Sequence, residues 1–430
     1  MRTHTKQRER GAVLPMVGLI LAVLLGMAGL VIDLGGLFVA KTELQSAVDS
    51  CALSAAQELD GATDALTRAT SAGKTAGNAN NVVYQHTSAS IADSDITFST
   101  ALSGATYAPA ATASSTSSYV KCTHTTSGIV ARLIKFVGGA TTNSVAALAV
   151  ATRVHAQSTC PIPVALIPKS GGGAPNYGFQ AGEWVGMVYN SCSGTGCSSV
   201  SPGELGWYNL NGTTNANETK LEMDQGYCNS KVGDQLGTPG AKVSVDDNWN
   251  ARFGIYKNKS NASQLQPDFT GYAYTSSSTG TSPLNWPAGK HAYDGNPTTG
   301  LAPDNTAPNF KNKRLANANY DDTGTSVQDA DTKITGLSLK SGGYKNLATA
   351  GAGGDLSTYG ANRRIVLVPV ISPASKIIDY ACMLMLQPID GVHATPQFEF
   401  IGNAGAASSP CSPSGLAGGT KGPLVPALVQ

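Results

Sequence analysis

The amino-acid sequence predicts an α+β protein with a single N-terminal transmembrane helix that continues into a long stem helix. A small α+β unit and then a β-rich, loop-heavy extracytoplasmic domain are expected to follow. Three observations lead there. Arg2, Lys6, Arg8 and Arg10 precede an uncharged apolar run from Gly11 to Ile32. The helical pattern continues past that run with no breaker, and short apolar stretches divided by long polar ones fill the remainder. The expected divisions are a cytoplasmic basic segment (1–11), the transmembrane and stem helix (12–60), the α+β unit (61–156) and the β-rich domain (157–430), with a polar insertion near 257–360.

The anchor comes first. Residues 12–32 as a helix span about 31 Å at 1.5 Å per residue, close to the roughly 30 Å hydrocarbon core of a bilayer. The run is longer than a signal-peptide core and lacks a clean small-x-small ending, so a retained anchor is expected rather than a cleaved leader. By the positive-inside rule the basic end stays in the cytoplasm, and everything after Asp33 lies outside. Gly18, Ala22 and Gly26 place three small residues on one helix face, where a second membrane helix can approach closely. Asp33 sits at the edge of the apolar run and is expected to reach water.

Beyond Lys41, the residues Leu44, Val48, Cys51, Ala55 and Leu59 fall on one stripe of an amphipathic helix, and Asp60-Gly61 supplies a stop. Anchor and stem therefore read as one rod of about 48 residues, roughly 70 Å long.

Here the sequence resembles a known family. The string "RGAVLPMVGLILAVLLGMAGLVIDLGGLFVAKTELQSAVDSCALSAAQELDG", with its arginine-glycine entry, "VIDLG", "AKTELQ" and "DSCALSAA", closely resembles the N-terminal segment of TadG-like Flp (tight adherence) pilus-assembly proteins. Weaker similarity continues in "SGIVARLIKFVGG", "TNSVAALAVATRV", "PGELGWYNL", "DDNWNARFGIY", "RRIVLVPVI" and "DYACMLMLQPI". The resemblance implies a pilin-like stem and a role in building or anchoring a Flp-type pilus at the bacterial inner membrane, with pilins or other pilus-assembly proteins as partners. Two family features are missing. The fifth residue after Gly11 is Met16 rather than glutamate, so prepilin-type cleavage is not expected. Asp355-Leu-Ser357-Thr-Tyr359 lacks the second serine of a von Willebrand A metal site, so that site is not expected either.

After Gly61 a second, modest helix is expected, then strands near 93–103, 116–125 and 142–154, with a helix over 127–138. Val145, Leu148 and Val150 read as a strand covered on both faces. From "CPIPVALIP" onward, the runs at 160–168, 183–189, 363–371, 376–387 and 396–402 read as strands. The region 257–360 reads as a loop-heavy or partly flexible insertion.

All eight cysteines (Cys51, Cys122, Cys160, Cys192, Cys197, Cys228, Cys382 and Cys411) follow residue 50. That even count on one side of a membrane segment points to disulfides in an oxidising compartment. Cys51 lies on the stem's apolar stripe and Cys122 on a strand expected to cover it, so these two are expected to pair. Cys192–Cys197 is the natural local pair; the partners among Cys160, Cys228, Cys382 and Cys411 stay open.

Chemistry is sparse. Lysine plus arginine total 29 against 28 acidic residues, a net charge of +1, which leaves nucleic acid unsupported as a partner. "RATSAGKT" (68–75) lacks the first glycine of a phosphate loop and sits in a helical pattern. "GAGGD" (351–355) lacks the third glycine of a dinucleotide loop. Asp321-Asp322 and Asp329-x-Asp331 lack the rest of a calcium loop. Trp184, Trp207 and Trp249 suit core packing better than a glycan platform. No cofactor, metal or small-molecule substrate is expected. The sequence thus favours a non-enzymatic pilus-assembly component. An anchored hydrolase, glycan-binding protein or adhesin on the same stem is the alternative.

Overall fold

The computed structural model describes residues 13–137, 139–189, 199–238, 245–257, 261–274, 286–287, 291–299, 302–318, 343–389, 396–411 and 415–430. The chain forms two compact units: residues 1–153 with 426–430, and residues 154–425.

In the first unit, α1 (Val13–Gln57) runs 45 residues without interruption, about 67 Å of helix. Pro15 falls in its first turn, where a missing N–H costs nothing. The five stripe residues Leu44, Val48, Cys51, Ala55 and Leu59 are all buried. Gly61, with φ of +81°, lets the chain turn back after the helix end, and α2 (Ala65–Asn78) packs on α1. The approach is close: a Cβ on Gly77 would lie 3.2 Å from that of Cys51, and one on Gly73 3.1 Å from that of Ala55.

Two short strands, β1 (Asn81–Val82) and β2 (Thr87–Ser88), make a small hairpin. Then β3 (Ile96–Ser99), β4 (Tyr119–Val130) and β5 (Thr142–His155) form an antiparallel meander. The C-terminal strand Leu424–Leu428 joins the sheet beside β5. Ile96, Phe98, Val120, Cys122, Ala147, Ala149 and Ala151 share one hydrophobic cluster with the α1 stripe.

Two expectations fail here. The helix over 127–138 does not form: β4 continues to Val130, and only a 3-10 turn, Ile134–Val137, follows. The residues 126–130 gain ladder bonds to β5 that an isolated helical turn would forgo. The strand carrying Val145 and Leu148 is not covered on both faces, since Leu148 is 40% exposed. Only from Ala149 to Thr152 are successive residues all buried.

The second unit is built on a closed six-stranded barrel. Its first strands are β6 (Val164–Leu166), β7 (Glu183–Val188) and β8 (Leu205–Trp207). The helices α3 (Ala216–Gln225) and α4 (Asp246–Ala251) come next, then β9 (Ile255–Lys257) and α5 (Phe310–Leu315). β10 (Tyr344–Asn346) pairs with β9, and α6 (Asp355–Thr358) leads back to the barrel. The barrel closes with β11 (Ile365–Ile371), β12 (Ile377–Met385) and β13 (Gln397–Asn403). The order around it is β11-β12-β13-β7-β8-β6, with β7/β8 and β6/β11 parallel and the other neighbours antiparallel. Side chains fill the core, as expected for so small a barrel. Trp249 stands edge-on to Trp207 and to Phe398, with ring centroids 5.7 and 5.4 Å away. The 257–360 region is more than an insertion: its described part supplies Tyr272, Tyr274, Trp286 and Phe310 to the same core.

Candidate functional site

Four polar residues of the N-terminal motifs, Asp33, Lys41, Glu43 and Gln45, each bind backbone of the sheet or of a loop beside α1. In "VIDLG", the Asp33 carboxylate accepts N–H bonds from Arg132 (2.8 Å), Leu133 (2.9 Å) and Ile134 (2.6 Å). Those donors open the 3-10 turn that follows β4, where N–H groups lack partners within the turn itself. The neighbouring Gly29 makes room, because a Cβ there would come within 2.9 Å of the Leu133 Cβ.

In "AKTELQ", three side chains do the same. The Lys41 ammonium donates to the Ala146 carbonyl, and Gln45 donates to the Leu148 carbonyl at 2.9 Å. The Glu43 carboxylate accepts from the Tyr84 and Gln85 backbone N–H groups at 2.8 and 3.2 Å. Val83, Tyr84 and Gln85 all have positive φ near 60°, a costly run for residues with a Cβ. The glutamate's hydrogen bonds offset that cost.

In "DSCALSAA", Cys51 is disulfide-bonded to Cys122 of β4, with Cα atoms 6.2 Å apart. Arg68 of α2 then gathers the acids at the stem's end: Glu58, Asp60 (2.6 Å) and Asp64 (3.1 Å). The Asp33, Lys41, Gln45 and Cys51 contacts fasten the β4–β5 hairpin along α1, Glu43 holds the loop between β1 and β2, and Arg68 ties α2 to the end of the stem.

The remaining candidate residues are distributed as follows. Gly18 and Ala22 are exposed and Gly26 half-buried, and nothing lies within 4 Å of a Cβ built on Gly18. Asp33 is half-buried and, besides its place at the edge of the apolar run, accepts bonds from backbone N–H groups of its own chain. Cys160 pairs with Cys228, and Cys382 with Cys411. Cys192 and Cys197 lie outside the described residues, as do Asp321, Asp322, Asp329 and Asp331. Trp207 and Trp249 are fully buried, and Trp184 packs against the same core. The clamp roles of Lys41, Glu43, Gln45 and Arg68 do not follow from the sequence pattern, in which Lys41 and Glu43 mark only the point where the helix meets water. The available signal was their placement beside an apolar stripe on a helix that had to be covered.

The chemistry of the second unit points elsewhere. A cavity of about 460 Å³ in this unit is lined in part by Glu222, Asp224, Arg252 and Arg363. Burial pushes the Glu222 carboxyl up to about 7, against the opposing pull of N–H bonds from Leu210 and Asn211. Both of its oxygens are occupied by that turn, so it braces the turn rather than facing a ligand. Arg252 donates to the Arg363 and Met223 carbonyls. Among the described residues no group of three or more His, Cys, Asp or Glu is placed to hold a metal ion. Gly73 and Lys74 of the phosphate-loop-like string lie within α2, where Gly73 serves helix packing.

These features define a class: a helix long and apolar enough to cross a membrane, continuous with a stem that motif side chains and a disulfide fasten to a small sheet. Residues 11–58 match the family described as "Putative Flp pilus-assembly TadE/G-like". The match supports the TadG-like resemblance and covers the anchor and stem, the part that carries every motif contact described on α1. No curated protein and no solved structure matches the chain.

Proposed function

We propose that this chain is a non-enzymatic, membrane-anchored component of Flp-type pilus assembly, a minor-pilin-like or anchoring protein. It acts through helix–helix and domain contacts with pilins or other assembly proteins at the bacterial inner membrane. The observation that carries the reading is the unbroken α1, whose apolar half leads into a clamped stem within the family-matched segment. Gly18, Ala22 and Gly26 supply the face for a neighbouring membrane helix. The N-terminus is cytoplasmic and the two folded units lie on the far side, where disulfides form.

Deleting the gene should strip the cell surface of pili, and restoring the wild-type chain should return them. Normal piliation in the deletion strain would overturn the proposal. For topology, a cysteine placed at Leu315, which is 83% exposed, should be labelled from outside intact spheroplasts; protection there would reverse the orientation.

A further inference from the structure

We propose that the tip of the β4–β5 hairpin, residues 129–137, dips into the bilayer beside α1, and that Asp33 makes this possible by satisfying the tip's backbone. The partner is phospholipid, in the leaflet nearest the folded unit. The inference rests on α1 being a membrane span and goes beyond it, since it places a second, non-helical segment at membrane depth.

Depth along α1 is the first argument. Exposed apolar side chains on α1 run from Leu14 to Val39, about 38 Å of helix, which more than fills a hydrocarbon core of about 30 Å. The hairpin meets α1 inside that stretch: Leu133 lies against Gly29, and the turn's N–H groups reach Asp33. Gly29 is three residues inside the end of the uncharged run at Ile32, about 4 to 5 Å deeper.

Composition is the second. Val130 is 63% exposed and Leu133 39% exposed, and Ile129 and Ile134 are half-buried. Ile129 and Val130 line one small cleft with Ile32, Gly36 and Leu37 of α1. Arg132 and Lys135 alternate with the apolar residues of the tip, the charge sign that suits lipid phosphates.

Backbone satisfaction is the third. Irregular backbone survives at membrane depth only when its polar groups find partners within the protein. Three successive N–H groups, of residues 132–134, end on one carboxylate. The same bonds satisfy that carboxylate, which would otherwise sit uncompensated at the edge of an apolar span. Beside them, Ala131 N–H bonds the Thr141 carbonyl, and just past the tip Gly139 N–H bonds the Ile134 carbonyl.

The test is nitroxide accessibility in the full chain reconstituted into phospholipid vesicles. Cysteines are introduced singly at Val130, Leu133, Leu24 and Leu315 and labelled without reducing the native disulfides. Relaxation by oxygen, which partitions into lipid, is compared with relaxation by a water-soluble nickel chelate. Labels at 130 and 133 should show an oxygen-to-nickel ratio several-fold above that at 315 and in the range of the label at 24. A lipid-like ratio at 24 with water-like ratios at both 130 and 133 would overturn the inference while leaving the anchor intact. A water-like ratio at 24 would overturn the anchor itself. Because 130 and 133 are made separately, misfolding of one variant leaves the other as the test.

Discussion

In the first unit the buried side of α1 is written in small residues: Ala40, Ala47, Ala52, Ala55 and Ala56 interleave with Leu44, Val48 and Cys51. In the second unit the largest fully buried side chains are Trp207, Trp249, Trp286, Tyr256, Tyr272, Tyr274, Tyr380, Phe253, Phe310 and Arg364. Small side chains let backbones approach, so a long helix is held by many close, shallow contacts, and position-specific clamps fix its register. Large aromatics fill a barrel from a few long-range positions and need a polar brace to orient them. A stem built the first way gains little from any one side chain beyond its disulfide and clamps; a barrel built the second way has single residues on which much depends.

The comparison breaks most visibly at Arg364. Its guanidinium is fully buried, donates to the carbonyls of Met385, Thr270 and Tyr272, and stacks 4.1 Å over the Phe253 ring. Burial pulls it down to about 10 from the usual arginine value. Replacing it with methionine leaves three buried carbonyls without donors, each worth about 1 to 3 kcal/mol. R364M should therefore destabilise the second unit by about 5 kcal/mol, read as lost hydrogen-exchange protection in β11 and β12. Unchanged protection there would show that the barrel does not depend on this brace.

Removing the Cys51–Cys122 link comes next. The bridge spans 71 residues of sequence, so C51A/C122A should cost the first unit about 4 kcal/mol in the chain-entropy model. The effect is expected in β4 and in the lower stem. A loss well under about 1 kcal/mol would mean that the clamps of Asp33, Lys41 and Gln45 already hold the hairpin.

How far these features were legible in the sequence follows the same division. The stripe Leu44–Leu59 and the Cys51–Cys122 neighbourhood were readable because helical periodicity fixes which residues share a face. The major runs of the barrel strands were readable too, as short apolar segments. Barrel closure was not, because it depends on β7 pairing with β13 and β8, and β11 with β6, across long separations. The turn after β4 misled because "VARLIKFV" has both apolar and basic residues at helical spacing, and only pairing with β5 decides for strand. Asp33 could be flagged from sequence as an acid at a membrane edge, but the N–H groups it accepts from lie about a hundred residues away.

A smaller effect separates the units by pH. Burial raises Glu399 to about 7 and Glu222 to about 7, against N–H bonds that favour their charged forms. His291 is raised by its hydrogen bond to Asp294, with burial opposing. All three are in the second unit, and a raised folded-state value means that the folded chain holds protons the unfolded chain has released. Stability from these groups is therefore present near about pH 4.5 and is lost as pH rises through about 7. The second unit should melt several degrees higher at about pH 5 than at about pH 7.5, and E399Q should flatten that slope. A slope of opposite sign, or one that E399Q leaves unchanged, would remove Glu399 as its source.

The continuity of α1 from membrane to stem is the claim on which the rest depends, and a single distance tests it. Spin labels at Leu24 and Ser54, thirty residues apart, should give a narrow distribution near about 45 Å by pulsed dipolar spectroscopy in lipid nanodiscs, the length of an unbroken helix at about 1.5 Å per residue. A broad distribution, or a main distance below about 35 Å, would mean a hinge between anchor and stem and would contradict that continuity.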